Sequence, residues 1–246
     1  MRANERRRPR QLRDEVGYHD LLADLRKPGC PVCHGVNRAA WRYLDSLLWE
    51  FVNDPGVRHT LRASRGFCRE HGLTALAVAS HQAAGSGIAI LYEDFLRHVR
   101  DEVIAAANRP HQGTRRGKRM PGIPRATGRC PACRSADFVV ANYLKILSEA
   151  DSDSAPGRAI RQPTRGLCLP HLAMGLRLAR SDQAVRRLVD AYLHGEADLR
   201  ADLVEFSRKQ DYRFRDEGFT DEQASSWARA VYRLVGEPSP RRPPDR

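Results

Sequence analysis

Apolar residues recur at helical spacing along most of the chain, and no segment alternates for the length of a strand. Tyr18 to Arg26 reads as a short helix ending before Lys27-Pro28-Gly29. From Cys30 to about Asn53 a strong helix follows. At about 100° per residue, Ala40, Trp41, Tyr43, Leu44, Leu47, Leu48 and Phe51 cover half its circumference, opposite Arg38, Arg42, Asp45 and Ser46. Asp54-Pro55 opens a short helix, because the carboxylate caps free amides and proline is tolerated at the first helical position; Gly66 stops it. Another helix starts at Cys68 and reaches Ser80. Gly85-Ser86-Gly87 is expected to break the chain before a helix from Ile88 to Asn108, striped by Leu91, Tyr92, Phe95, Val99 and Val103. Towards the C-terminus, Ser181-Asp182 caps a long helix from Gln183 to Lys209, with Gly195 as a bend. A last amphipathic helix, Asp221 to Val235, is expected to pack Trp227, Val231 and Leu234 against it. The pattern predicts an all-α protein.

This pattern contains a repeat. Cys30-Pro-Val-Cys33 is followed, after 34 intervening residues, by Gly66-Phe-Cys68-Arg-Glu-His71. Cys130-Pro-Ala-Cys133 is followed at the same spacing by Gly166-Leu-Cys168-Leu-Pro-His171, and the offset is 100 residues throughout. Tyr143, Leu144 and Leu147 repeat Tyr43, Leu44 and Leu47. The expected organisation is a basic disordered tail (1–17), a first helical metal-binding unit (18–108) and a basic Gly/Pro linker (109–129). A second helical metal-binding unit (130–181), C-terminal helices (182–236) and a disordered tail (237–246) complete it.

A net charge of +12 raises nucleic acid as a partner. The excess is mostly arginine in the tails and linker (Arg6 to Arg10, Arg115 to Arg129, Arg241, Arg242, Arg246) rather than on one patterned element, so binding through these segments is the weaker reading. No run is apolar enough to span a bilayer, and the N-terminus lacks the apolar stretch of a secretory signal, which predicts a cytoplasmic protein without membrane contact. In that compartment clustered cysteines bind metal more often than they form structural disulfides.

All six cysteines lie in the repeated motifs. A Cys-x-x-Cys knuckle aims two thiolates at one point, and a Cys-x-x-His pair supplies two more donors from the first turn of a helix whose dipole favours thiolate. The expected ligands are Cys30, Cys33, Cys68 and His71 at one site and Cys130, Cys133, Cys168 and His171 at the other, grouped within each repeat. Cys3His is a structural zinc set that leaves no coordination position for catalysis, so two Zn2+ per chain and no catalytic residues are expected. An iron–sulfur cluster or a thiol-based redox sensor competes for the same residues. Haem attachment through Cys30-Pro-Val-Cys33-His34 is disfavoured because Arg134 stands where the second copy needs histidine. Thioredoxin-type chemistry is disfavoured by the lack of a βαβ context.

Asp94, His98 and Asp101 read as a solvated edge with local ion pairing. Glu93, Asp211, Glu217 and Trp227 carry no pattern beyond packing and solvation. The CPxC motif, Tyr-Leu-x-x-Leu, Asn53-Asp54-Pro55-Gly56-Val57-Arg58, Ser64 to His71 and Lys209 to Arg215 together resemble a bacterial family of unknown function that carries the doubled CPxC/GxCxxH plan. The resemblance covers most of residues 18 to 236 and implies a bacterial, cytoplasmic setting without an assigned activity. The function expected is that of a zinc-stabilised helical scaffold whose partner is a protein.

Overall fold

The structure is a computed structural model that describes residues 16–108, 113–114, 117–118 and 126–244. Among the described residues regular structure is helical, apart from one small ladder. The order is α1 (Tyr18–Asp24), α2 (Pro31–Glu50), α3 (Pro55–Ser64), α4 (Arg69–His81) and α5 (Gly85–Ala107). Then come α6 (Pro131–Glu149), α7 (Ala155–Ile160), α8 (Leu169–Leu178), α9 (Asp182–Leu193), α10 (Glu196–Arg208) and α11 (Asp221–Val235), with a 3-10 turn at Tyr212–Glu217. The expected all-α class is the one observed. Between α5 and α6, β1 (Gly113–Thr114) pairs antiparallel with β2 (Gly117–Lys118), inside the stretch expected to be a bare linker. The rest of residues 109–125, the tail 1–15 and residues 245–246 lie outside the described residues, and most of the arginine-rich segments go with them. No described helix is long and apolar enough to cross a membrane.

The chain forms two compact units whose boundaries fall inside helices, not in the linker. One comprises residues 1–36 and 137–238, the other residues 37–136 and 239–246. The division therefore cuts α2 after Val36 and α6 after Ala136, and departs from the boundaries expected from the repeat. Each unit has its own core. In the first, Leu21, Val32, Tyr143, Leu144, Ile146, Leu167 and Leu188 are almost wholly buried. In the second, Leu44, Leu61, Val78 and Leu91 form the centre with Trp41 and Phe95. Burying such side chains contributes about 1.5–3 kcal/mol each.

Three local readings differ from the sequence pattern, each for a physical reason. Helix α5 begins at Gly85, so Gly85-Ser86-Gly87 is its first turn and not a break. At Gly87 the absent Cβ would lie 3.0 Å from the Leu48 carbonyl oxygen, so glycine serves close approach to α2 there. The long C-terminal helix is not bent but interrupted: Gly195, at φ +72°, starts α10 after His194 turns extended. Finally, α11 is turned inside out. Trp227 is 58% exposed, as are Val231 (51%) and Leu234 (57%), while Ser226 is fully buried and Arg229 and Arg233 lie partly buried. The cause is polar: Arg233 donates to the Tyr192 and His194 carbonyls at the C-terminal end of α9, and Arg229 bonds Asp202 of α10 at 2.6 Å. These fixed acceptors set the face that α11 presents to α9 and α10, against the preference of its apolar stripe.

In the second unit Asp94 is not on a solvated edge. It is 6% exposed and accepts two hydrogen bonds from Arg62 of α3, at 2.8 and 2.7 Å. His98 and Asp101 do sit at the surface, beside Glu102 and Arg100. The Arg62 guanidinium holds the Asp94 carboxyl below the usual carboxylate range, against the opposing effect of burial. A depressed folded pKa adds stability that is fully present above the unfolded value, about 3.9, and is lost as pH falls through the folded value. Asp94→Asn is therefore expected to lower Tm at neutral pH by about 2–4 °C, a modest figure because Arg62 is half open to solvent. The variant should also flatten the acid limb of stability below about pH 4, as a pH series of thermal melts would show.

Candidate metal centres

Each candidate centre is built from the first turns of two helices. Cys30 immediately precedes α2, whose first residue is Pro31, and the His34 N–H donates to the Cys30 carbonyl, placing Cys33 in the opening turn. Cys130, Pro131 and Cys133 stand in the same relation to α6. Cys68 and Cys168 are the N-caps of α4 and α8, and His71 and His171 follow at the third helical position. Three residues make nearly one turn, so the cysteine and histidine of each pair face one point.

The structure brings these halves together crosswise. Cys30 and Cys33 meet Cys168 and His171, while Cys130 and Cys133 meet Cys68 and His71. The expectation that each site is grouped within its own repeat is thus corrected: every residue named is used, but the partners are exchanged. Backbone pairing shows why. Gly29, just before the first knuckle, donates to the Thr164 carbonyl at 2.9 Å, and Gly166 returns a bond to Gly29 at 3.2 Å. On the other side Gly128 donates to the Ala63 carbonyl at 2.8 Å. Each knuckle is pinned to the loop that leads into the opposite repeat's Cys-x-x-His helix.

The donor atoms of each set lie within 4.8 Å of one another. In the first centre His171 Nδ1 is 3.6 Å from Cys30 Sγ, 3.4 Å from Cys33 and 3.1 Å from Cys168, and Cys33 is 3.7 Å from Cys168. In the second, His71 Nδ1 is 3.3 Å from Cys68, 3.7 Å from Cys130 and 3.3 Å from Cys133, with Cys68 3.7 Å from Cys133. A tetrahedron with Zn–S near 2.3 Å and Zn–N near 2.0 Å has edges of about 3.8 Å between sulfurs and about 3.5 Å between sulfur and nitrogen. The observed separations match those edges. They are far longer than the roughly 2.05 Å of a disulfide, and all six cysteines are free thiols. Both sets can hold a metal ion.

The thiols are electrostatically coupled in each set. In the first centre hydrogen bonds from Cys30 and Cys33 lower Cys168 to about 4, and the complementary effect pushes Cys33 far up. In the second, burial pushes Cys130 up, but the His71 ring and nearby backbone outweigh it and bring the thiol down to about 6. Burial, then the Cys130 charge, push Cys133 up to about 12. One sulfur in each set ionises readily while a neighbour resists. A divalent cation removes that conflict by neutralising the charge that opposes the next ionisation.

The centres have different surroundings. Cys30, Cys33 and Cys168 are 4%, 3% and 1% exposed, whereas Cys68 is exposed. The segment after α11 closes over the first set. Glu237 accepts a bond from the Cys30 N–H at 2.9 Å, lies 3.3 Å from His34 Nδ1, and gives its own N–H to Cys33 Sγ at 3.4 Å. Burial pushes the Glu237 carboxyl up. Gly29 permits this closure, since a Cβ there would strike the Glu237 carboxylate. Residue 237 was expected to belong to a disordered tail, but these contacts hold it against the first centre, directly after the Gly236 cap of α11. The second ring nitrogen of His34 faces the Pro28 carbonyl at 2.8 Å, so both ring nitrogens are engaged by protein groups. A cavity of about 60 Å³ adjoins the same centre, lined by Cys30, Cys168, Arg229, Tyr232, Arg233 and Glu237 among others. The remaining acidic candidates are paired nearby: Glu93 with Arg97, Asp211 with Arg213 and Glu217 with Arg208.

No family model matches the chain, and no solved structure matches it. The chain is similar to a protein of Caldicellulosiruptor sp. (strain Rt8B.4) described as "Uncharacterized 23.9 kDa protein in xynA 3'region". The two are 24% identical over 220 residues, which covers 88% of this chain and 99% of the relative. The relative's description carries no activity to compare with these centres.

Proposed function

We propose that each Cys3His set binds one structural zinc ion and that the protein is a zinc-stabilised helical scaffold that binds another protein. The observation that carries the metal reading is the pair of four-donor sets whose separations fit the edges of a zinc tetrahedron. When bound, the ion supplies cross-linking and charge neutralisation. The chain's own residues fill all four positions, so nothing in this reading assigns the metal a substrate. The fit also favours a single ion over an iron–sulfur cluster, because donors within 4.8 Å of each other leave little room for a core of several irons and sulfides.

Three thiolates around a divalent ion leave one negative charge. Four features offset it at the first centre: the N-terminal ends of α2 and α8, the Glu237 N–H and the nearby Arg233 guanidinium. The partner reading is supported by α11, whose Trp227, Val231 and Leu234 face outward at spacing i, i+4, i+7 with its arginines turned in. Apolar helix faces of this kind are common protein-binding surfaces.

The test is elemental analysis with an absorbance spectrum on protein purified without added metal and protected from air. The expected result is two zinc ions per chain and no visible bands. Iron with visible absorbance would replace zinc by an iron centre and move redox sensing to the front.

A further inference from the structure

Resting on the zinc reading, we infer that the two centres are not equivalent: Glu237 is a positioning residue that locks the first centre, and the second, open at Cys68, is the one that exchanges metal and meets thiol reagents.

The geometry differs on three counts. At the first centre all three cysteines are buried and only His171 is partly open; at the second, Cys68 is open and Cys133 partly so. Ligand exchange at a closed tetrahedral ion begins when one donor swings away and an incoming ligand takes its place. An exposed thiolate does this readily, whereas a buried one must move its cover first.

The second difference is that cover. Glu237 ties the chain to both ends of the first knuckle, through the Cys30 N–H and the His34 ring, and its own amide reaches Cys33 Sγ. Gly236, at φ +86°, brings the backbone so close that a Cβ there would lie 3.8 Å from both Cys168 and Cys33 Sγ. A hydrogen bond to a metal-bound sulfur is a contact that fixes ligand orientation and tunes metal affinity, and the Glu237 carboxylate on the His34 ring holds that contact in place. No comparable clasp is present at the second centre among the described residues.

The third difference is the anchor of the cover. The cover continues directly from α11, which Arg233 ties to the end of α9 and Arg229 to α10. Opening the first centre therefore means peeling the clasp from a held helix. At the second centre rotation of the Cys68 side chain is enough.

The test follows zinc release from full-length, zinc-loaded protein mixed with excess chelator, with N-ethylmaleimide present to mark each cysteine as it is freed. Two phases of one zinc each are expected. Cys68, Cys130 and Cys133 should be labelled in the fast phase, and Cys30, Cys33 and Cys168 in the slow one. Glu237→Ala should accelerate the slow phase at least tenfold and leave the fast phase unchanged. Glu237→Gln keeps an oxygen for the Cys30 N–H and should restore most of the slow rate, which a general loss of stability would not do. A single phase, labelling in the opposite order, or equal acceleration of both phases by Glu237→Ala would overturn the assignment. A starting content other than two zincs would instead overturn the reading it rests on, before any kinetics are measured.

Discussion

On the zinc reading, stripping the metal from both centres is expected to unfold much of the helical body, not merely to loosen the metal loops. Each centre ties together the openings of two helices distant in sequence, with 134 residues between Cys33 and Cys168 and 58 between His71 and Cys130. Without the ion, three thiols and an imidazole are left packed at 3.1–3.7 Å in a setting that favours ionisation of some and opposes that of others. Structural zinc contributes on the order of 10 kcal/mol in small metal-folded domains. Here the two hydrophobic cores share the task, so part of the helix content can survive. A Tm decrease of about 20 °C or more is nonetheless expected, given roughly 2–4 °C per kcal/mol for a chain of this size. Circular dichroism melts with and without chelator, followed by zinc re-addition under reducing conditions, measure this directly. A chelated protein that melts within a few degrees of the loaded one would show that the cores suffice and that the centres are not structural.

The crosswise pairing makes a second prediction with an all-or-none outcome. Cys33→Ser and Cys168→Ser should each lose one zinc, the same one, so the double variant should still retain one. Cys33→Ser combined with Cys68→Ser should retain none, because it removes a donor from each set. Pairing within the repeats would give the reverse: one zinc kept by Cys33→Ser/Cys68→Ser and none by Cys33→Ser/Cys168→Ser. Stability should follow the same rule. The costs of Cys33→Ser and Cys168→Ser should be strongly non-additive, since the first already forfeits the centre, while substitutions in different centres should add. Zinc content after desalting, with Tm for the four variants, decides between the two.

The helices themselves were readable because their cues are local. Asp54 caps α3 through the Val57 N–H at 2.7 Å, as its place before Pro55 suggests, and Ser181 caps α9 in the same way. Gly85-Ser86-Gly87 misled because glycine has two uses: it breaks helices in isolation, yet allows a neighbouring helix to approach when packed. Only the proximity of Leu48 reveals which applies. The outward face of α11 was unreadable for a related reason. An apolar stripe predicts burial, and the acceptors that capture Arg229 and Arg233 come from α9 and α10, which no periodicity within α11 can show.

The sequence by itself determined that the protein is helical, that it carries a duplicated motif, and that eight residues have the chemistry to hold metal. Residue type and spacing decide these things, since a Cys-x-x-His pair at a helix start converges whatever else the chain does. Only the tertiary structure decided which pairs meet. Repeats with the same ligand types at the same spacing present equivalent half-sites, so spacing is silent on the exchange of partners, and long-range backbone bonds such as Gly29 to Thr164 settle it. The unlike surroundings of the two centres also belong to tertiary structure. They arise because the C-terminal segment, lying beside Gly29, clasps the first centre.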